Sequence, residues 1–247
     1  MTAKIPLTQR DAAPYLTNRI EHNFQISPIS PIEIDTVIDE LKHNGKNPNT
    51  ICTSVLVNSK GILNPILCHL INLFVEQGYF PNNLKTGCIT PIFKGSDSEK
   101  INNYRPVCSL STLSKIIEKV VTNRMTHFLE TYDIFSETQF GFRKDMGTET
   151  ALMNYIDYLQ NQLNNKQYTI SIFMDLSKAF DTINHDILRI KLEHYGFRGH
   201  FLDFLLNFIK DREYFVYVNG RNSCKKTVNI GVPQGSTLGP LLFLIYI

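Results

Sequence analysis

Ser171-Ile172-Phe173-Met174-Asp175-Leu176-Ser177-Lys178-Ala179-Phe180-Asp181-Thr182 is the stretch from which the rest of the chain is read. Ile170, Ile172 and Met174 alternate with Ser171, Phe173 and Asp175. That period of two, over a short run rich in β-branched and aromatic residues, predicts a strand over 169–175. Asp175 then falls at its C-terminal end, just before a polar turn. Ligands and metals in α/β sheets gather at that end of a strand, which makes the carboxylate a candidate hard-metal ligand. Asp is equally favoured as a helix cap, and spacing alone leaves both readings open.

Outward from this stretch, helical and extended patterns alternate along the chain. Ahead of it, Thr148 to Asn164 predicts a helix entered through Thr148 or Thr150, with Leu152, Tyr155, Ile156, Leu159 and Leu163 along it. Lys115 to Tyr132 is the strongest helical pattern. Ile116, Ile117, Val120, Val121, Met125 and Phe128 would face a core, and Lys115, Glu118, Lys119 and Arg124 would decorate the other side. Leu84 to Phe93 reads as extended, Ile62 to Gln77 as a helix stopped by Gly78, and Pro31 to Leu41 as a short helix capped by Ser30. His43 to Thr50 reads as a loop. Residues 1–30 read as a linker or extended arm. Behind the central stretch, His185 to Tyr195 and His200 to Arg212 predict two helices. Glu213 to Val218 and Lys225 to Ile230 predict two strands around Asn219-Gly220, a strong hairpin signal with a late return strand. The sum is an α+β fold with helices packed on an antiparallel or mixed sheet.

Composition bounds the function. The chain has 247 residues and a net charge of +2, so nucleic-acid contact would have to come from local basic patches, not an overall field. Five cysteines (Cys52, Cys68, Cys88, Cys108, Cys224) include no C-x-x-C pair. This argues against a zinc site or disulfide framework, fits a reducing, intracellular compartment, and predicts small buried or half-buried thiols. Met1 to Arg10 has no secretory h-region, and no stretch reaches the ~18 apolar residues of a membrane span. Leu238 to Ile247 is apolar without a terminator, so the chain is expected to stop inside a domain, leaving Leu241 to Ile247 partly exposed.

Several positions have the right chemistry for phosphate or nucleic acid. Gly231-Val232-Pro233-Gln234-Gly235 is a rigid loop opening a helix, where backbone N–H groups suit a phosphate. Gln234 can donate and accept, and could orient a base or sugar. Lys94, Arg105, Arg143 and Lys144 recur beside turns. Each alone reads as a solvated charge or as a phosphate contact, for which Arg is well suited. Tyr104 beside Arg105, and Phe142 beside Arg143, interleave aromatic and basic character as strand-binding surfaces do. Asp181, six residues past Asp175 and beyond a turn, reads as a second metal-ligand candidate or as a local cap or packing acid.

Five ordered blocks then carry a resemblance: Pro91-Ile-Phe-Lys-Gly-Ser-Asp97; Asn103-Tyr-Arg-Pro106 leading to Ser114-Lys-Ile-Ile-Glu-Lys119; Gln139-Phe-Gly-Phe-Arg143; Met174-Asp-Leu-Ser-Lys-Ala-Phe-Asp-Thr182; and Gly231-Val-Pro-Gln-Gly-Ser-Thr-Leu-Gly-Pro240. Together with Gly78-Tyr-Phe-Pro81 they resemble the reverse transcriptase of non-LTR, LINE-type, jockey-like retrotransposons, from about Pro31 to Ile247. The resemblance implies a right-hand polymerase, with an N-terminal extension and fingers with part of the palm over 31–168 and an incomplete palm over 169–247, behind the linker or extended arm of 1–30. It implies an RNA-directed DNA polymerase using Mg²⁺ (or Mn²⁺), an RNA template, a DNA primer and deoxynucleoside triphosphates.

Residue by residue, the resemblance makes Asp175 the catalytic carboxylate binding both metal ions, with the carbonyl of Leu176 assisting. Phe180 becomes the aromatic beneath the incoming sugar, where a planar ring leaves no room for a 2′-hydroxyl. Gln234 would touch the incoming nucleotide, Lys94 and Arg105 would hold its triphosphate, and Arg143 and Lys144 would contact template or fingers. Departures are Val107-Cys108-Ser109 for the more usual Ile-Ser-Leu, and a Lys46 to Ser54 region without Gly-Pro-Asp-Gly. The family's next block, carrying an Asp-Asp pair, has no counterpart in these residues. The expectation is that the chain does not polymerise alone. The alternative is a non-catalytic remnant that at most binds RNA or DNA through Lys94, Arg105, Arg143 and Lys144.

Overall fold

The computed structural model describes residue 16 and residues 19–41 and 51–247. Ser30 opens α1 (Pro31–Glu40) as expected, its hydroxyl accepting the Glu33 N–H at 3.3 Å. α2 (Thr53–Asn58) and α3 (Lys60–Glu76) follow; the loop expected over His43 to Thr50 lies outside the described residues. β1 (Thr86–Phe93) and β2 (Tyr104–Ser109) form a hairpin. Next come α4 (Thr112–Thr131) and α5 (Thr148–Asn164), then α6 (His185–His194) and α7 (Gly199–Ile209). β3 (Arg212–Val218), β4 (Arg221–Asn222), β5 (Lys226–Val228) and α8 (Gly239–Tyr246) complete the described chain. Among the described residues no helix is long and apolar enough to cross a membrane.

The sheet is mixed, with strand order β2-β1-β3-β4 and β5 also paired to β3. β1 runs antiparallel to β2 but parallel to β3, with Thr86 opposite Glu213 and Ile89 opposite Val216. The α+β class is therefore as expected, and a purely antiparallel sheet is not what forms. The reason is connectivity: four helices intervene between β2 and β3, long enough to return the chain in the same direction as β1. Asn219 and Gly220 both have positive φ (50° and 78°), as a tight hairpin turn requires. Val216 exchanges bonds with Ser223 between the two short return strands, so the hairpin resumes late.

The core is helical. α4 buries Ile116, Ile117, Val120, Val121, Met125, Phe128 and Leu129, each large side chain contributing about 1.5–3 kcal/mol. α7 buries Phe201, Leu202, Phe204, Leu205, Leu206, Phe208 and Ile209. The arm over 19–30 has no regular structure but is well packed. Phe24 meets Phe128, Phe197 and Phe201 at ring-centroid distances of 5.3, 5.2 and 4.5 Å. Its N–H donates to Gly196 O at 2.9 Å. Arg124 anchors the same arm, pairing with Glu33 at 2.7 Å and donating to the carbonyls of Ser27 and Pro28.

Four sequence expectations are corrected. The predicted strand over 169–175 does not form: these residues have no ladder partner, and Ile170 and Phe173 are 89% and 84% exposed. Period-two alternation makes a strand only where another strand can take its backbone hydrogen bonds. None of the described strands pairs with it; Tyr155 of α5 instead bonds Ser171 and packs edge-on against Phe173. Leu241 to Ile247, expected to be partly exposed, is mostly packed. Leu241, Leu242, Leu244 and Ile245 are buried against the core, and only Ile247 stands out. α8 finds cover on α6 and on the turn around Phe180, with Phe180 and Phe243 ring centroids 5.1 Å apart. The helix expected to reach Arg212 ends at Ile209, because Asp211 turns the chain at φ 52° and Arg212 starts β3. Finally, Cys52 and Cys224 are exposed, while Cys68, Cys88 and Cys108 are buried.

Candidate functional site

The hairpin register decides where two of the candidate cations stand. Phe93 pairs with Tyr104 and Ile92 with Arg105, so Lys94, one residue past β1, lies at the same end of the ladder as Arg105. The Lys94 N–H donates to Asn103 O at 2.8 Å, which closes that end. Below them, Ile89 and Pro91 of β1 and Val216 and Val218 of β3 share one face, as alternate residues of a strand must.

The turn after the central stretch forms the opposite wall. Lys178 adopts a left-handed conformation (φ 53°, ψ 43°), and a short 3₁₀ turn over Ala179–Thr182 follows. That turn is laced to the glycine loop. Val232 N–H donates to Phe180 O at 2.9 Å and Gly231 N–H to Ile183 O at 2.8 Å. His185 Nε2 donates to Gly231 O at 2.7 Å. Gly231 has φ 79°, and a Cβ there would stand 2.7 Å from Phe180 O. Gly235 approaches β2 even more closely, with a Cβ position 2.4 Å from Cys108 O. Glycine is needed at both places for close backbone approach.

These walls enclose a cleft of about 930 Å³. Lys94, Arg105, Phe180 and Gln234 all line it, although they come from four different blocks of sequence. Phe180 is met edge-on by Phe142 at 5.9 Å and at a 40° tilt by Phe243 on α8. The Gln234 side-chain amide donates to Asp181 Oδ1 at 2.6 Å, and the Gln234 backbone carbonyl accepts the Cys108 N–H at 3.0 Å. Lys94, Arg105 and Lys178 bring three positive charges to the lining against the single carboxylate of Asp181. A cationic rim over an apolar floor suits an anion attached to a flat apolar body.

The other candidates fall elsewhere. Asp175 and Leu176 are exposed and do not line the cleft. Among the described residues no three His, Cys, Asp or Glu side chains stand together as a metal would require, so the carboxylates present do not make a metal site. Arg143 stacks on Phe135 at 5.2 Å and donates to Ser136 O at 3.1 Å. Its neighbour Phe142 touches the cleft through Phe180, and Lys144 is exposed.

Sequence reasoning missed three residues. Asp181 has a place in the cleft beyond a local cap. Lys178 lines the cleft, and its position within the Ser177-Lys178-Ala179-Phe180 turn was the only available signal. Glu118, assigned to the solvated face of its helix, is 1% exposed. It accepts hydrogen bonds from Thr237 and Leu238, just past Gln234 in the chain. Helical spacing placed it on the polar side and could not show that a loop would cover that side.

Residues 92–247 match the family described as Reverse transcriptase (RNA-dependent DNA polymerase). The chain is similar to the probable RNA-directed DNA polymerase from transposon BS of Drosophila melanogaster (30% identical, covering 92% of this chain and 26% of the relative). It is also similar to the probable RNA-directed DNA polymerase from transposon X-element of that organism (31% identical, 94% and 26%). A third relative is the RNA-directed DNA polymerase from mobile element jockey, also of Drosophila melanogaster (29% identical, 96% and 26%). The chain thus spans about a quarter of the length of these relatives. On the family match and these identities, the chain belongs to the reverse transcriptase family, alongside the jockey-like non-LTR elements.

Proposed function

We propose that the cleft receives the incoming deoxynucleoside triphosphate of an RNA-directed DNA polymerase, and that the chain is the fingers and part of the palm of such an enzyme. The observation that carries this reading is the convergence of Lys94, Arg105, Phe180 and Gln234 on one cleft. Lys94 and Arg105 hold the triphosphate, and Lys178 adds a third cation. Phe180, wedged between two aromatic rings, lies under the sugar and excludes a 2′-hydroxyl. Gln234, steadied by Asp181, meets the base and sugar edge. Arg143 and Lys144 contact the template strand. This reading divides the chain into fingers with part of the palm over 31–168 and palm over 169–247.

In the complete enzyme the reaction is attack of a primer 3′-hydroxyl on the α-phosphate, with an RNA template and a divalent metal, Mg²⁺ by family. Asp175 and the Leu176 carbonyl are the metal ligands this reading assigns. Among the described residues no three His, Cys, Asp or Glu side chains stand together to hold a metal, so no step of this chain's own chemistry is derived through the metal.

The test is equilibrium binding of a fluorescent deoxynucleoside triphosphate to the intact chain. K94A and R105A should each weaken binding by roughly tenfold, the loss of one charge-assisted contact. F180A should bring ribonucleoside and deoxyribonucleoside triphosphates closer in affinity. Absence of binding by the unaltered chain, or binding indifferent to K94A and R105A, would overturn the proposal.

A further inference from the structure

Glu118 sits in mid-α4, closed off from solvent. A buried carboxylate is costly unless hydrogen-bonded, and this one is bonded at both oxygens. Ser114 Oγ donates to Oε1 at 2.7 Å. The backbone N–H groups of Thr237 and Leu238 donate to Oε2 at 2.8 and 3.4 Å. Oε2 therefore reaches across to a different part of the molecule: the turn between Gln234 and α8. On the other side of the same loop, β2 holds the Gln234 backbone carbonyl through the Cys108 N–H. The loop has no comparable anchor between these two points beyond the Ser236 hydroxyl, which bonds Pro233 O and Gly239 N–H within the turn.

We propose that Glu118 is a positioning residue for Gln234. Its carboxylate fixes the Thr237–Leu238 turn and so sets where the Gln234 amide stands in the cleft. The functional consequence rests on the nucleotide reading above; the structural consequence rests on the hydrogen bonds alone. Burial pushes the Glu118 carboxyl up from its ordinary range, opposed by the Ser114 bond, the positive charge of Arg212 and the two N–H bonds.

The experiment uses E118Q, E118L and E118D in the full chain. Hydrogen exchange is read over 231–240 and over α7, and binding of the fluorescent deoxynucleoside triphosphate is measured in parallel. E118Q keeps a carbonyl acceptor for both N–H groups and can donate to Ser114, so it should match the unaltered chain. E118L fills the volume but accepts nothing. It should raise exchange over 231–240 by about tenfold or more while α7 stays protected. It should also weaken nucleotide binding as much as Q234A does, with the double variant no weaker than Q234A alone. E118D, which keeps the carboxyl but is one methylene shorter, should loosen the same loop, and it decides the matter if E118L does not fold. Unchanged exchange over 231–240, or exchange raised equally in α7, overturns the proposal. A localised rise in a chain that binds no nucleotide upholds the role of Glu118 in holding the loop and overturns the nucleotide reading instead.

Discussion

Gly235 and Gly220 both have positive φ, 106° and 78°, but only Gly235 is crowded. An alanine at Gly220 meets open space, so G220A should cost about 1 kcal/mol of left-handed strain. G235A adds a collision with a strand carbonyl that cannot move aside, and should cost more than about 2 kcal/mol in urea unfolding. His185 supplies a pH-dependent term. Burial lowers its pKa from the ordinary 6.5, with the Gly231 carbonyl bond pulling the other way. A histidine held neutral in the fold and readily protonated in the unfolded chain adds stability above its ordinary pKa. That stability is lost as the pH falls from about 6.5 toward the depressed folded value. The melting temperature should therefore drop between pH 7.5 and 5.5, and the drop should be smaller in H185Q.

Two elements with similar sequence patterns behave differently. The apolar stripe of α4 is buried as its periodicity requires, whereas α5 forms over the predicted residues and buries none of them. Leu152, Ile156 and Leu163 are all exposed. Lysine at Leu152 or Ile156 should thus change unfolding free energy by less than about 0.5 kcal/mol, as at an ordinary surface position. F24A in the irregular arm should cost about 3–5 kcal/mol, because it empties an aromatic cluster. If the α5 lysines unfold the chain, or F24A is neutral, the assignment of these faces is wrong. Periodicity announces that a helix has an apolar face; it is silent on whether anything covers it.

Across the whole molecule the charge is nearly balanced, with +2 over 247 residues. Retention of single-stranded RNA should accordingly be weak and steeply salt-sensitive, set by local clusters. R143A with K144A should reduce it and flatten the salt dependence, while K60A, a cation on α3 already paired with Asp39, should not. Equal loss in both variants would show nonspecific charge and no template contact at Arg143.

Some of this was already contained in the order of residues along the chain. Helical periodicity marked α1, α4, α5 and α6 to within a few residues, because caps, prolines and apolar spacing are local causes. Matching five short blocks to a family picked out four of the cleft residues, Lys94, Arg105, Phe180 and Gln234, without any geometry. The fold alone could bring Lys94, Arg105, Phe180 and Gln234 together, since they meet through strand register and loop lacing between residues far apart in sequence. It also left the stretch around Asp175 unpaired, because a strand needs a neighbour that its own alternation cannot provide. And it buried Glu118, because a helix face is polar or apolar by sequence but solvated or covered only by what packs on it.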